Sequence, residues 1–317
     1  MSVIVFDNGR GGVNSDHTPM DAMVNVAMSH FIDLGVNDNP NFAEDSYDSS
    51  DDNFTRLEWL LDDSLIKAIN EARLVSLEMG KKLVLKRKAF MNFGKSRITE
   101  LRVNPDTFVQ MAIQLAYIRL HKKPGTFHQK FQKMVLKAIS APTYETATTR
   151  QFLKGRTETL RSCTRELVEF CTLFDDPSQT KGRKKSALQK AIDTHNSLMT
   201  ESKNGQGCDR HLFGLMSIAE EHNLPIPKLF SDNSYTASGG GGNFILSTST
   251  CGYTGMSGGT SPMCLDGYGC FYNFEPHRIW LWVTAFRHSF ETSVEKFTRG
   301  LEQSLLDLQD LLSASKL

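Results

Sequence analysis

The stretch that most restricts what this chain can fold into is residues 104–121. Asn104-Pro105-Asp106 opens a helix in the usual way, with a side-chain cap and then proline at the first helical position. The helix expected over 105–121 carries Phe108, Val109, Met111, Ala112, Ile113, Leu115 and Ala116, so it is apolar almost all round. Such a helix needs cover on every side, which places it in the middle of a core.

The flanking segments supply that cover. Strands are expected at 2–6, 82–90, 243–249, 268–274 and 279–285. Helices are expected at 20–34, from Ser64 as cap through Leu77, at about 165–174, 183–200 and 209–222, and from Thr292 to about Leu312, where Leu301, Leu305, Leu308 and Leu312 repeat at helical spacing. A short basic amphipathic helix is expected at 126–140. Ser238-Gly239-Gly240-Gly241-Gly242 reads as a flexible or close-approach loop without the spacing of a phosphate-binding P-loop. The 317 residues suggest two domains or one large one, and the acidic run 36–53 is a natural linker between them.

Composition narrows the function. Thirty-six basic and 36 acidic residues cancel, which argues against a dedicated nucleic-acid binder. No apolar run approaches the roughly 18–20 residues that a membrane helix requires. Six cysteines without C-x-x-C spacing read as reduced thiols rather than as a disulfide frame or a zinc site. The terminal Ser315-Lys316-Leu317 is a peroxisomal address, so an import receptor is an expected partner and the peroxisome the expected compartment.

Three clusters bear chemistry. His17 is followed four residues later by Asp21, after the glycines Gly9, Gly11 and Gly12, and both are expected at a helix N-terminus with Thr18-Pro19 in its first turn. A carboxylate in that place can hold one imidazole nitrogen and leave the other as general base; alone, the pattern is more often the mark of a structural histidine. Lys95, Arg97 and Arg102 precede the core helix and could meet phosphate, or simply be a solvated basic loop. Residues 143–164 are dense in hydroxyls and arginines, which suits a polar, zwitterionic ligand.

Several longer motifs resemble one family. Asn104-Pro105-Asp106-Thr107-Phe108-Val109-Gln110, Thr143-Tyr144-Glu145-Thr146-Ala147-Thr148-Thr149-Arg150 and Gly155-Arg156-Thr157-Glu158-Thr159-Leu160-Arg161-Ser162-Cys163-Thr164 are similar to the choline/carnitine acyltransferases, and Asp209-Arg210-His211-Leu212 with Leu246-Ser247-Thr248-Ser249 continue the likeness in order. The resemblance implies an α/β fold of the CoA-dependent, chloramphenicol acetyltransferase-like type: one mixed-sheet domain with flanking helices plus a stub of a second. Residues 1–55 would be the end of an N-terminal catalytic domain and its linker, 56–312 the C-terminal acyltransferase domain, and 313–317 the targeting tail.

The same resemblance implies transfer of an acyl group between CoA and the hydroxyl of L-carnitine, with acyl-CoA as co-substrate and no further cofactor or metal. His17 would be the base, Asp21 its acidic partner and Ser249 the oxyanion donor. Tyr144, Thr146 and Thr157 would meet the carnitine carboxylate, and Arg210 would supply positive charge near it. Lys95, Thr99, Arg102 and Asp106 would meet CoA, although Thr99 stands where the family has a lysine. Gly258 stands where acetyl-specific members have a methionine plug, which implies an open pocket and a medium-chain, octanoyl-like substrate. The competing expectation is a catalytically inactive CoA-binding or interaction fragment.

Overall fold

The computed structural model describes residues 2–38, 57–121, 141–250 and 258–313. They divide into two compact units, one holding the described residues up to Leu83 and the other those from Val84 onward. The expected helix at 126–140, the expected boundary near residue 55 and the terminal Ser-Lys-Leu lie outside the described residues.

The first unit begins with a hairpin. Strand β1 (Ser2–Val5) pairs antiparallel with β2 (Gly11–Asn14), so the expected first strand is met by the strand that follows it. Gly9 closes the turn at a left-handed φ of 75°, and Gly11 and Gly12 are strand residues rather than turn residues. Helix α1 spans Ala22–Asp38 and α2 spans Asp63–Lys82. The expected helical first turn at Thr18-Pro19 is not formed. The Asp16 carboxylate accepts both the N–H (2.9 Å) and the hydroxyl (2.7 Å) of Thr18, a local turn that competes with helix. For α2 the cap is Asp62, not Ser64. Its carboxylate accepts the Leu65 N–H at 2.8 Å and also takes the Ser64 hydroxyl at 2.8 Å.

The second unit is a mixed α/β layer structure, as the sequence led one to expect. Strands β3 (Leu83–Phe90), β4 (Thr143–Thr148), β5 (Thr157–Leu160), β6 (Leu246–Thr250), β7 (Tyr268–Phe274) and β8 (Ile279–Phe286) form one sheet in the order β3-β8-β7-β6-β4-β5. The central pairs β4–β6 and β6–β7 are parallel, whereas β4–β5 and β7–β8 are antiparallel.

Helix α4 (Pro105–His121) crosses one face and buries every residue from Thr107 to Ala116. It follows the short α3 (Lys95–Glu100), and Asn104 caps it through the Asp106 N–H at 2.9 Å. Helices α5 (Arg165–Phe174), α6 (Lys181–Lys203) and α10 (Val294–Ser313) pack around it, with Phe297, Leu301, Leu305 and Leu308 of α10 fully buried in the same core. Helices α7 (Asp209–Glu221), α8 (Lys228–Ser231) and α9 (Asn233–Ala237) lead to the glycine loop. That loop is a close approach: a Cβ on Gly239 would stand 2.4 Å from the Phe244 ring, and one on Gly240 2.5 Å from Tyr235.

Two buried glutamines interrupt the apolar surface of α4 and fasten it to the sheet. Gln110 donates to the Thr248 hydroxyl at 2.9 Å, and Gln114 to the Thr143 hydroxyl at 2.6 Å. They fix the height of α4 over β4 and β6, the two strands that carry the hydroxyl motifs.

Candidate active site

Side chains alternate across a strand, so the register sorts the motifs onto faces. Tyr144 stands beside Ser247 and Thr146 beside Thr159, so Tyr144, Thr146, Ser247 and Ser249 share the sheet face turned away from α4. On β4 this alternation is visible as burial: Thr143, Glu145 and Ala147 are buried, and Tyr144, Thr146 and Thr148 are partly exposed.

At the β5 edge the face becomes a cationic, hydroxyl-lined corner. Arg210, in the first turn of α7, donates from Nη2 to the Thr157 hydroxyl (3.2 Å) and the Tyr144 hydroxyl (3.4 Å), and from Nε to the Thr157 carbonyl (3.0 Å). Each hydroxyl accepts from the guanidinium, so its own hydrogen stays free to turn toward an anion. Two of the three expected carboxylate ligands thus converge on the expected cation, and Thr146 lies on the same face of the same strand as Tyr144.

Behind this face is a polar network that the motif reading did not single out. Glu145 and His195 are 3% and 1% exposed, with His195 Nε2 at 2.9 Å from the Glu145 carboxylate. On its other side, His195 Nδ1 is 3.1 Å from the Thr107 hydroxyl, which itself donates to Asn196 Oδ1 at 2.8 Å. Because that hydroxyl spends its hydrogen on Asn196, Nδ1 must carry a proton. Nε2 and the carboxylate then share one more. Burial raises the Glu145 pKa against the opposing pull of His195. For His195 burial works downward, but the hydrogen bond and charge of Glu145 outweigh it, and the net shift is upward.

Thr248 extends the network, accepting from Gln110 and donating to the Tyr144 carbonyl at 2.9 Å. Gln110 also donates to the Tyr272 hydroxyl (2.9 Å), which donates to Asp106 at 2.5 Å. Burial drives the Tyr272 pKa well up. The legible signal was a pair of glutamines inside an otherwise apolar helix.

The remaining expected residues are placed as follows. Lys95 and Thr99 are exposed on α3 and Arg102 follows it at a left-handed φ of 61°. The Thr99 hydroxyl donates back to the Lys95 carbonyl at 3.0 Å. The first amides of α3 are committed: the Lys95 and Ser96 N–H groups donate to the Glu275 and Pro276 carbonyls at 2.9 and 3.1 Å. Anion contact by this segment therefore falls to its side chains. Asp106 lies in the first turn of α4. Gly258 is exposed, and a Cβ there would meet nothing within 4 Å.

In the first unit, His17 Nδ1 lies 3.7 Å from Asp21 Oδ1, with the imidazole side chain 72% exposed and the carboxylate side chain 15%. Both precede α1, whose entry Asp21 marks by accepting the Val24 N–H at 3.1 Å. Among the described residues no group of three or more His, Cys, Asp or Glu could hold a metal ion. No helix among them is long and apolar enough to cross a membrane.

Comparison with known proteins gives this arrangement a context. The choline/carnitine O-acyltransferase family model matches residues 1–303. The human peroxisomal carnitine O-octanoyltransferase is 37% identical over all of this chain and 49% of its own length. The chicken choline O-acetyltransferase is 32% identical over 70% of this chain and 32% of its own length. The chain thus spans about half the length of the curated octanoyltransferases it matches. Among solved structures, a wax ester synthase/diacylglycerol acyltransferase from Marinobacter aquaeolei VT8 overlaps at 10% identity and a TM-score of 0.34, covering 80% of this chain and 58% of that one, too slight a likeness to argue from.

Proposed function

Since the chain belongs to the choline/carnitine O-acyltransferase family, we propose that it serves the reversible transfer of a medium-chain acyl group between CoA and the hydroxyl of L-carnitine. The observation that carries this reading is the convergence of Arg210, Tyr144 and Thr157. A guanidinium with two hydroxyls suits a carboxylate, which carnitine has and choline lacks.

In this reading His17 Nε2 takes the proton of the carnitine hydroxyl, while Asp21 beside Nδ1 orients the ring and favours the imidazolium that forms. The alkoxide attacks the thioester carbonyl carbon. The tetrahedral oxyanion accepts a hydrogen bond from Ser249, an interaction worth about 3 kcal/mol of barrier in comparable sites. The C–S bond then breaks, and the CoA thiolate leaves with the proton from His17. Lys95 and Arg102 would meet the CoA phosphates, with Thr99 and Asp106 along the same segment. An acyl chain longer than acetyl is proposed on the resemblance, because Gly258 stands where acetyl-specific members have a methionine. The peroxisome is the proposed compartment, on the names of the octanoyltransferase relatives.

A second reading, a CoA-binding or interaction protein without turnover, is favoured by two observations: α2 has no buried residue, and His17 is largely exposed. CoA thiol release from octanoyl-CoA by the purified chain separates the two. The proposed transferase requires release that depends on L-carnitine and falls at least about 100-fold in His17→Ala. A folded chain that binds CoA but shows no carnitine-dependent release establishes the second reading.

A further inference from the structure

Arg161 is one of three arginines in the hydroxyl-rich run, none of which has a part in the chemistry above. Arg161 follows β5 directly and grips Asp209 at two points, Nε to Oδ2 at 2.7 Å and Nη2 to Oδ1 at 2.6 Å. Its third nitrogen, Nη1, donates to the Ser238 carbonyl. The guanidinium also lies 5.5 Å from the centre of the Phe244 ring, and that ring packs on Tyr144 with centroids 5.7 Å apart.

Asp209 is the chain neighbour of Arg210, so a single guanidinium braces both members of the hydroxyl-cation corner: Arg210 through Asp209, and Tyr144 through Phe244. Glu158 adds a second brace. Its buried carboxylate accepts the Arg210 backbone N–H at 3.2 Å and the Thr159 N–H at 2.7 Å. Gly207 makes room for it, since a Cβ there would stand 2.2 Å from Glu158 Cγ.

We propose that Arg161 is a positioning residue which, through Asp209 and Phe244, sets the spacing between Arg210 and Tyr144 and thereby the preference for an acceptor that carries a carboxylate. The inference deepens the acyltransferase reading and rests on it. The physical basis is the fork. A planar guanidinium satisfies both carboxylate oxygens, the loop carbonyl and the ring face together, which an ammonium cannot do. The pair is also partly desolvated, with side chains 30% and 14% exposed, so the geometry resists exchange with water.

The test is binding by titration calorimetry to the full chain, with L-carnitine and L-carnitine amide as acceptor probes and CoA as control. The wild type is expected to prefer L-carnitine. Arg161→Lys is expected to weaken L-carnitine roughly tenfold, the size of one lost charge-assisted contact, while carnitine amide and CoA bind as before. Asp209→Asn should lose the same preference, and Asp209→Glu should restore part of it; this series stands in if Arg161→Lys fails to fold by circular dichroism. Equal losses for carnitine and its amide, or no loss for either, would overturn the positioning role. A wild type that binds CoA but not L-carnitine would overturn the acyltransferase reading itself and this inference with it.

Discussion

Glu145 and His195 hold one proton between them, and that proton makes a forecast for stability against pH. Between about pH 4.5 and 6.5 an unfolded chain carries one proton on this pair, on the histidine, and the folded pair, with its carboxyl and imidazole both shifted upward, carries at least as many. Above 6.5 the unfolded histidine loses its proton, while the folded pair, with both pKa values shifted upward, retains it. The folded state then binds more protons, and stability falls as pH rises by up to about 1.4 kcal/mol per pH unit until the folded pair itself titrates. Asp106 of α4 and the hydroxyl of Tyr272 face the same network; Asp106, when ionised, also favours retention of the proton. Thermal melts between pH 6 and 9 should show this alkaline decline in the wild type. His195→Gln should be less stable by roughly 3–5 kcal/mol, because it strands a buried carboxylate, and the double variant with Glu145→Gln should recover stability and lose the slope. Parallel pH profiles for the wild type and the double variant would contradict the shared proton. Nothing in the spacing of Glu145 and His195, fifty residues apart, announced this contact. Tyr144, Thr157 and Arg210 were legible because each sits in a recognisable motif.

Elements were legible where one local signal had no competitor. Asn104-Pro105 predicted the start of α4 correctly, since proline can only begin a helix there and the asparagine caps it. Ser64 was the wrong cap for α2 because the carboxylate of Asp62, two residues earlier, accepts the Leu65 amide and takes up the Ser64 hydroxyl as well. The first turn of α1 was misplaced because the Asp16 carboxylate captured Thr18. A contact made across the fold decides the start of α3. Gly94 lies against the β7–β8 turn, where a Cβ would stand 2.3 Å from both the Arg278 nitrogen and the Glu275 oxygen. These are backbone atoms and cannot step aside, so Gly94→Ala should cost about 1–3 kcal/mol. It should also shift α3 and weaken CoA binding, if Lys95 and Arg102 meet its phosphates. Calorimetric CoA titration alongside a melting curve checks both effects. Unchanged CoA affinity in a destabilised variant would separate α3 from the CoA site.

At the scale of the molecule, the proposed acyl preference rests on one small residue, Gly258, where acetyl-specific members have a methionine. Gly258→Met, which restores the side chain that acetyl-specific members carry, should lower octanoyl transfer relative to acetyl transfer by roughly tenfold or more, read as the ratio of kcat/KM for octanoyl-CoA and acetyl-CoA. An unchanged ratio would remove Gly258 from the acyl pocket. The six-stranded order β3-β8-β7-β6-β4-β5 shows why the sequence could list the strands and not arrange them. Strand identity follows from local pattern, but β4 lies beside β6 across about a hundred residues of intervening chain, and that pairing is decided by which faces can be buried together. The sequence by itself determined the α/β class, the buried helix α4 and the family, because periodicity, capping and ordered motifs are written locally. Only the tertiary structure decided that Arg210 reaches Tyr144 and Thr157, that Arg161 braces them, and that Glu145 and His195 share a proton. Those relations depend on the distance and solvent exclusion created when remote segments pack, which no local stretch of the chain encodes.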